Sequence, residues 1–261
     1  MRPGLYSHLP YREIPWWSDE AQKHPRLCGF EIYISGYRIC KLEEKDISDL
    51  KKAAEGFKTT IHAPWEEINL GSDDPHFTEI YARRLNAALD IAEHLGSLAV
   101  VLHTGYLFEK VQVPEMEKRW LENARRFLAG VLEKRQGAHI LIENVFERDP
   151  DTFRRIFDGL CEVHPLSICF DTGHAHFLSH APLSVWLDTL GTDIIEVHLH
   201  DNAGDCDAHL PPGDGTIDFP ALFEKMATLI PSPRIVLEMH KKNQIIKGLD
   251  LADGLVKRYY E

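Results

Sequence analysis

Three potential metal ligands follow a short apolar run near the middle of the chain. Asp171, His174 and His176 come just after residues 166–170, a run bounded by turn residues that predicts a buried strand. An aspartate and a histidine three residues apart at a strand end can face one point in space, and both side chains bind divalent transition metals. An Asp-x-x-His pair alone is weak evidence, because such pairs also arise by chance.

Potential metal ligands lie at or just past the ends of six consecutive predicted strands, the third to the eighth. They are His62, His103, Glu143, Asp171 with His174, His198 and Glu238. Each one alone has another explanation, because a strand-end histidine can cap a carbonyl and a glutamate can pair with an arginine. One shared cause explains six such positions better than six coincidences do. The pattern therefore predicts a single metal site to which these strands contribute.

The loop after the seventh predicted strand adds further candidates. It contains Asp201, Asp205, Asp207 and His209. The Asp-x-His spacing of Asp207 and His209 lets two side chains of an extended segment reach one ion. A polar surface loop with Asx turns is the alternative, since Asp beside Gly is common in turns. The sequence pattern of an EF-hand calcium loop is absent from this segment.

Strand-like and helix-like stretches alternate along the whole chain. Strands are predicted at 2–6, 27–34, 59–64, 98–103, 139–143, 166–171, 194–200 and 234–238. Helices are predicted at 43–56, 75–95, 114–136, 150–162, 183–190, 219–230 and 250–260. Continuous apolar runs in several strands indicate a parallel sheet that is buried on both faces.

Eight such units in 261 residues are close to the length of a (β/α)₈ TIM barrel. An open, doubly wound sheet is the alternative, but the glycine-rich phosphate turn typical of it is missing. No linker or change in composition divides the chain. We therefore expect one α/β barrel domain over residues 1–261, with its site at the carboxyl ends of the strands.

Composition limits the classes of partner. The formal net charge of −12 and the pI near 5.7 argue against broad binding to nucleic acid. No apolar run approaches the roughly 20 residues that span a bilayer, and the N-terminus has no apolar signal core. The five cysteines form no Cys-x-x-Cys pair, which favours free thiols over a disulfide or a thiolate zinc site. We expect a cytoplasmic protein.

The ordered motifs resemble a known superfamily. The series IHAPW, VLHTG, LIENV, CFDTGHAH, VHLHDN, DAHLPPGDGTIDF and VLEMH, over roughly residues 27–240, is similar to the xylose isomerase-like, AP endonuclease-type TIM barrels. This superfamily includes sugar phosphate isomerases and epimerases as well as endonuclease IV. Each motif is short, and the specificity lies in the ordered set.

The resemblance implies a ligand set and a cofactor. In the isomerase branch the metal ligands would be Glu143, Asp171, His198 and Glu238. The trinuclear zinc site of the endonuclease branch would add His62, His103, His174, Asp207 and His209. The chain has an acceptable ligand at all nine positions, which implies one to three divalent ions of Mn, Mg, Co or Zn.

Two chemistries remain open on this basis. In the first, an isomerase or epimerase acts on a small sugar or sugar phosphate, with Glu143 and Glu238 as ligands and as the acid/base pair beside a polarised carbonyl. In the alternative, a zinc phosphodiesterase of the endonuclease IV type cleaves abasic DNA or a small nucleotide-like diester. The acidic composition and the compact repeats argue against DNA as substrate. A barrel that only binds a ligand is a third option, and a homo-oligomer is possible.

Neighbours of the predicted ligands suggest further roles. Aromatic side chains follow three of the ligands and would wall a substrate pocket or pack in the core: Trp65, Phe146 and Phe177. Cationic side chains past two strands would meet a substrate phosphate: Arg148, Lys241 and Lys242. At Glu238, burial and the charges of Glu143 and Asp171 predict a raised pKa when metal is removed.

Overall fold

Eight parallel strands form a closed barrel in the computed structural model, which describes residues 2–107, 111, 113–133, 135 and 137–261. In chain order the strands are β1 (Gly4–Pro10), β2 (Leu27–Tyr33), β3 (Lys58–His62), β4 (Val100–His103), β5 (Ile140–Glu143), β6 (Leu166–Asp171), β7 (Ile194–Leu199) and β8 (Arg234–Leu237). Each strand pairs with the next, and β8 pairs with β1. The predicted (β/α)₈ barrel is confirmed.

Helices cover the outside of the barrel. Within the described residues they are α1 (Ile14–Ala21), α2 (Gly36–Ile39), α3 (Glu44–Ala53), α4 (Pro75–Leu95), α5 (Pro114–Leu132), α6 (Pro150–Cys161), α7 (Thr172–Leu178), α8 (Leu183–Leu190), α9 (Phe219–Leu229) and α10 (Lys242–Tyr260). The helix predicted after the fourth strand was expected to end at Gln136, which lies outside the described residues. No helix among the described residues is long and apolar enough to span a membrane.

The boundaries of α4 follow from local chemistry. Pro75 occupies the first turn, where its missing N–H is not needed, and the Asp74 carboxylate accepts a hydrogen bond from the His76 N–H at 2.8 Å. The helix ends at Gly96, whose φ of 68° is a left-handed conformation that favours glycine. These signals gave the predicted limits of 75–95, and α4 has those limits.

Side chains along each strand alternate between the barrel interior and the helices. In β5, Ile140 and Ile142 belong to the large core under the helices, whereas Leu141 belongs to the small cluster inside the barrel. Glu143 lies two residues after Leu141 and therefore faces the interior at the carboxyl end. The same alternation brings the last interior position of several strands to one mouth. This period of two explains why ligands from separate strands meet.

Several elements differ from the sequence prediction, and α1 and α2 were not predicted at all. β1 extends to Pro10 instead of ending at residue 6, and it thereby brings His8 to the mouth. α7 was not predicted; it begins directly after β6 because the Asp171 carboxylate caps it, accepting from the His174 N–H at 2.6 Å. α10 begins at Lys242 rather than near residue 250, since Ile245 packs in the core one turn earlier.

Candidate metal centre

Glu143 lies between two groups of potential ligands. Its Oε2 atom is 3.1 Å from Nε2 of His62 and 3.1 Å from Nε2 of His103, and these three residues form one group. Its Oε1 atom faces the other side, 3.6 Å from Nδ1 of His198 and 3.3 Å from Nδ1 of His174. The two oxygens of this buried carboxylate can therefore serve two adjacent ions.

A second group consists of Glu143, Asp171, His198 and Glu238. The Nδ1 atom of His198 lies 3.0 Å from Oε2 of Glu238 and 3.7 Å from Oδ2 of Asp171. Four atoms here are buried and have no hydrogen-bond partner among the described residues: Glu143 Oε1, both ring nitrogens of His198 and Glu238 Oε2. Buried polar atoms without partners are costly, and a bound cation would satisfy Glu143 Oε1, His198 Nδ1 and Glu238 Oε2 together. The residues fit a divalent metal.

A third group contains His174, Asp207 and His209, with His200 beside them. Asp207 Oδ2 lies 3.4 Å from Nε2 of His174 and 3.2 Å from Nε2 of His209. The Nδ1–H of His209 donates to the Glu238 carbonyl at 2.8 Å, which fixes the ring with Nε2 toward Asp207. The three groups together contain all nine residues that the sequence analysis proposed as ligands.

Asp201 folds the loop that carries Asp207 and His209. Its buried carboxylate accepts hydrogen bonds from the backbone N–H groups of Gly213 and Gly215 at 2.9 Å each. A two-bond antiparallel bridge between Asp201 and Leu210 closes the same turn. Asp201 is thus a structural residue of the loop, and the loop brings its two ligands over the barrel mouth.

Glu31 and His8 also reach the site, although neither was predicted from the sequence. Glu31 lies on β2 with no solvent exposure, and its Oε1 is 3.0 Å from His198 Nε2 and 3.0 Å from His8 Nδ1. The ring of His8 also lies edge-on to that of His62, with centroids 5.3 Å apart. The available signal for Glu31 was a charged residue inside an otherwise apolar strand, between Phe30 and Ile32.

His200 was also missed, although it stands two residues after His198. Its Nε2 lies 3.1 Å from Oδ1 of Asp171, and its ring stacks on that of His209 at 4.0 Å. Gly173 makes room for this ring, because a Cβ at that position would lie 2.0 Å from Cε1 of His200. His200 therefore connects the second group to the third. The available sequence signal was the alternation of side chains along β7, which places His200 on the same face as His198.

Without metal, contacts between the histidines and the carboxylates stabilise the charged forms of both. Burial opposes protonation of His62, but contact with Glu143 outweighs burial and raises the pKa of His62 to about 9. The pKa of His209 is likewise raised to about 9, because contact with Asp207 outweighs burial. Burial would raise the pKa of Glu143, yet the neighbouring histidines hold it well below its usual range.

The expected rise of the Glu238 pKa in the metal-free protein is wrong. Burial acts in that direction, but His8, His198 and His209 surround the carboxylate and lower its pKa well below its usual range. The expectation rested on the neighbouring carboxylates alone, Glu143 and Asp171. The histidines that contact Glu238 come from β1, β7 and the following loop, which only the fold brings together.

Cys169 lies below the second group, and its thiol is close enough to Glu143 and His198 to form a ligand group with them. Burial raises its pKa well above the usual range, so the protein holds it as a neutral thiol and not as a metal-binding thiolate. All five cysteines are free, as the sequence predicted.

A cavity of about 720 Å³ opens above the ligands. Trp65, Phe146 and Phe177 all line it, which answers the open question of pocket or core in favour of the pocket. Among the described lining residues there is neither Lys nor Arg. Lys242, a predicted phosphate contact, instead lies over the ring of Trp16 at 2.9 Å from the centroid.

A family model for xylose isomerase-like TIM barrels matches residues 28–255. The match covers most of the chain, and the protein therefore belongs to the xylose isomerase-like TIM barrel family.

Relatives in this family carry different names. The uncharacterized protein MJ1311 of Methanocaldococcus jannaschii is 28% identical over 248 residues, which cover 89% of this chain and 80% of that protein. A probable endonuclease 4 of Staphylococcus saprophyticus is 28% identical over 203 residues, which cover 69% of this chain and 67% of that protein.

Solved structures share the fold at lower identity. The TTHB071 protein of Thermus thermophilus, soaked with ZnCl₂, superposes with a TM-score of 0.80 at 24% identity, covering 97% of this chain and 98% of that one. A D-tagatose 3-epimerase-like protein gives a TM-score of 0.77 at 22% identity, covering 99% and 98%. At these identities the likeness extends to the fold alone.

Proposed function

We propose that the protein is a metal-dependent phosphodiesterase with a multinuclear centre. The observation that carries this proposal is that the potential ligands form several adjacent groups: the first and the second share Glu143, and the third stands beside them. A single-ion isomerase would need the second group alone, whereas a multinuclear phosphodiesterase would also use the third group of His174, Asp207 and His209. The similarity to a probable endonuclease 4 supports the proposal independently.

Divalent ions in these groups would activate water and stabilise both the attacking and the leaving oxygen of the phosphodiester. In the reaction, the P–O bond to one alcohol breaks, water supplies the new oxygen of the phosphate monoester, and its proton leaves with the alcohol. Glu143 would contribute to both the first and the second group. Glu31 would orient His198 through Nε2, and the Glu238 carbonyl would orient His209.

The charge of the ligand set favours this chemistry when all groups are filled. Four carboxylates serve the three groups: Glu143, Asp171, Asp207 and Glu238. Three divalent ions outweigh four carboxylates and leave a net positive floor, which attracts a phosphodiester anion. One divalent ion in the second group faces three carboxylates and leaves the floor negative, which suits a neutral sugar better.

A second candidate is an isomerase or epimerase that acts on a small sugar or sugar phosphate. Glu143 and Glu238 both approach His198 Nδ1, at 3.6 and 3.0 Å, so one ion in the second group would be flanked by two carboxylates. Such a pair can move a proton next to a carbonyl held between them. The absence of Lys and Arg from the described cavity lining favours an unphosphorylated sugar within this class.

Metal content and reaction type together test the proposal. Purified protein is analysed for metals by mass spectrometry, then assayed for hydrolysis of bis(p-nitrophenyl) phosphate and for deuterium exchange into pentoses and hexoses in D₂O. We expect two or three zinc ions per chain and hydrolysis that a chelator removes. One exchangeable Mn²⁺ or Mg²⁺, deuterium in a sugar and no hydrolysis would overturn the proposal and favour the isomerase.

A further inference from the structure

The walls of the cavity are apolar and anionic, although its floor is built for cations. Besides the histidines, four aromatic rings line it, those of Tyr33, Trp65, Phe146 and Phe177, together with aliphatic side chains such as Leu107 and Leu178. Two carboxylates, Glu13 and Glu67, stand in the same lining. Glu67 is 70% exposed, and its Oε2 lies 3.6 Å from Nη2 of Arg84. Among the described lining residues, only the metal floor offers a place for an anion.

Exposed aromatic rings in the cavity point to the rest of the ligand. Trp65 is 51% exposed and Phe146 is 44% exposed, and they come from different loops, after β3 and after β5. Large apolar side chains left in water inside a concave site mark a surface that a ligand covers. Planar rings of this kind stack well on nucleobases, because every base has a flat π-face.

A polyanion would not suit this cavity. Proteins that bind nucleic acid neutralise successive phosphates with Lys and Arg, and the described lining contains neither. The carboxylate of Glu13 would repel phosphates that flank the scissile one, whereas the carboxylate of Glu67 pairs with Arg84. The volume of about 720 Å³ lies within the range of small-molecule sites.

We infer that the substrate is a small phosphodiester with a single anionic group and one nucleobase-like aromatic ring, and that Trp65 and Phe146 bind the ring. This inference rests on the proposed function for the cleavage step. The phosphate lies on the ligand floor and the ring lies against the aromatic wall. The described walls do not favour duplex DNA.

Binding of product-like probes tests the aromatic wall without any turnover. Adenosine 5′-monophosphate, ribose 5-phosphate and inorganic phosphate are titrated calorimetrically into zinc-loaded protein. We expect adenosine 5′-monophosphate to bind about tenfold more tightly than ribose 5-phosphate, the gain that stacking of one base provides. Trp65→Ala and Phe146→Ala should each reduce that preference severalfold. Equal affinities for the two probes would overturn the inference.

A matched control separates stacking from general loss of aromatic surface. Phe77 on α4 is as exposed as Trp65, at 51%, and does not line the cavity. Phe77→Ala should leave the preference unchanged. A preference that Trp65→Ala and Phe146→Ala both leave intact would also contradict the inference.

Turnover assays distinguish this inference from the proposed function. Wild-type protein is given a dinucleoside monophosphate and, separately, a duplex with one abasic site. Base-dependent binding without hydrolysis of either substrate supports the binding of the ring by Trp65 and Phe146 but removes the proposed function, and with it the phosphodiester as substrate. Faster cleavage of the duplex than of the dinucleoside monophosphate keeps the proposed function and overturns the inference.

Discussion

Glu31 Oε1 lies 3.0 Å from Nε2 of His198, while Nδ1 of the same imidazole faces Glu143 and Glu238. A carboxylate behind a histidine fixes its tautomer, leaves the opposite nitrogen free to bind a metal and increases its basicity. Glu31 is fully buried, so solvent does not weaken this contact.

Glu31→Gln should weaken metal binding by about 10- to 100-fold, the usual effect of losing such a carboxylate. The amide keeps the shape and can still accept a hydrogen bond, so we expect the fold to persist. Glu147→Gln is the control, because Glu147 is equally buried but bonds Thr104 and the Val145 N–H outside every ligand group. Zinc titration against a competing chelator measures both. Equal affinity of Glu31→Gln and the parent would contradict the assigned role.

Glu238→Gln should abolish turnover and weaken metal binding, since it removes one of three carboxylates from the second group. In chelator it should also lower the Tm by a few degrees, because the ionised carboxylate lies among His8, His198 and His209. Thermal melts with and without chelator check both effects. If metal binds this variant as tightly as the parent, Glu238 is not a ligand.

The number of bound ions should depend on which group is changed. Asp207→Asn removes a ligand of the third group alone and should lower the zinc content by about one ion per chain. Glu143→Gln affects two groups and should lower it by more. Metal analysis after dialysis measures both variants side by side. The three-group arrangement is wrong if Asp207→Asn retains the parent's zinc content.

Metal-free protein should lose stability as the pH rises from about 6.5 to about 9. His62 and His209 have pKa values raised to about 9 when folded, against about 6.5 when unfolded. Their contribution to the free energy of unfolding is therefore complete below about pH 6.5, and it is lost as the pH rises through the pKa of the folded state. Glu143, whose pKa is lowered, stays ionised throughout this window and adds no change.

Zinc should reverse this trend, because metal binding requires neutral histidines and so strengthens as the pH rises. Thermal melts between pH 6 and 9.5, in chelator and in zinc, provide the comparison. A metal-free Tm that stays level or rises between pH 6.5 and 9 would show that these histidines are not held protonated.

Gly173→Ala should destabilise the protein by about 1–3 kcal/mol, because the added Cβ would lie 2.0 Å from Cε1 of His200 and the ring must move. Gly130→Ala in α5 is the control, since its Cβ meets nothing within 4 Å and a helix favours alanine by about 1 kcal/mol. Urea unfolding measures both. Equal stability of Gly173→Ala and the parent would show that His200 has room to shift.

Much of the fold and of the ligand set follows from sequence patterns that act locally. Apolar runs, caps and glycine stops predicted all eight strands and most helices, because hydrogen bonding and burial at these positions depend on near neighbours. The carboxyl ends of parallel strands share one mouth, so ligands at strand ends could be predicted to meet. α7 was not predicted, because Asp171, the residue that caps this helix, was interpreted as a metal ligand at the end of a strand.

The sequence alone predicted the barrel and the strand-end residues at its mouth, since a strand end fixes where a side chain points. The full set of nine potential ligands came from the resemblance to a known superfamily. The sequence did not determine which ligands share an ion, that Glu31 and His8 stand behind them, or that the histidines lower the Glu238 pKa. Those facts depend on distances of a few ångströms between side chains from different strands. Only closure of the barrel sets these distances, because the register and stagger of all eight strands together decide which neighbours touch.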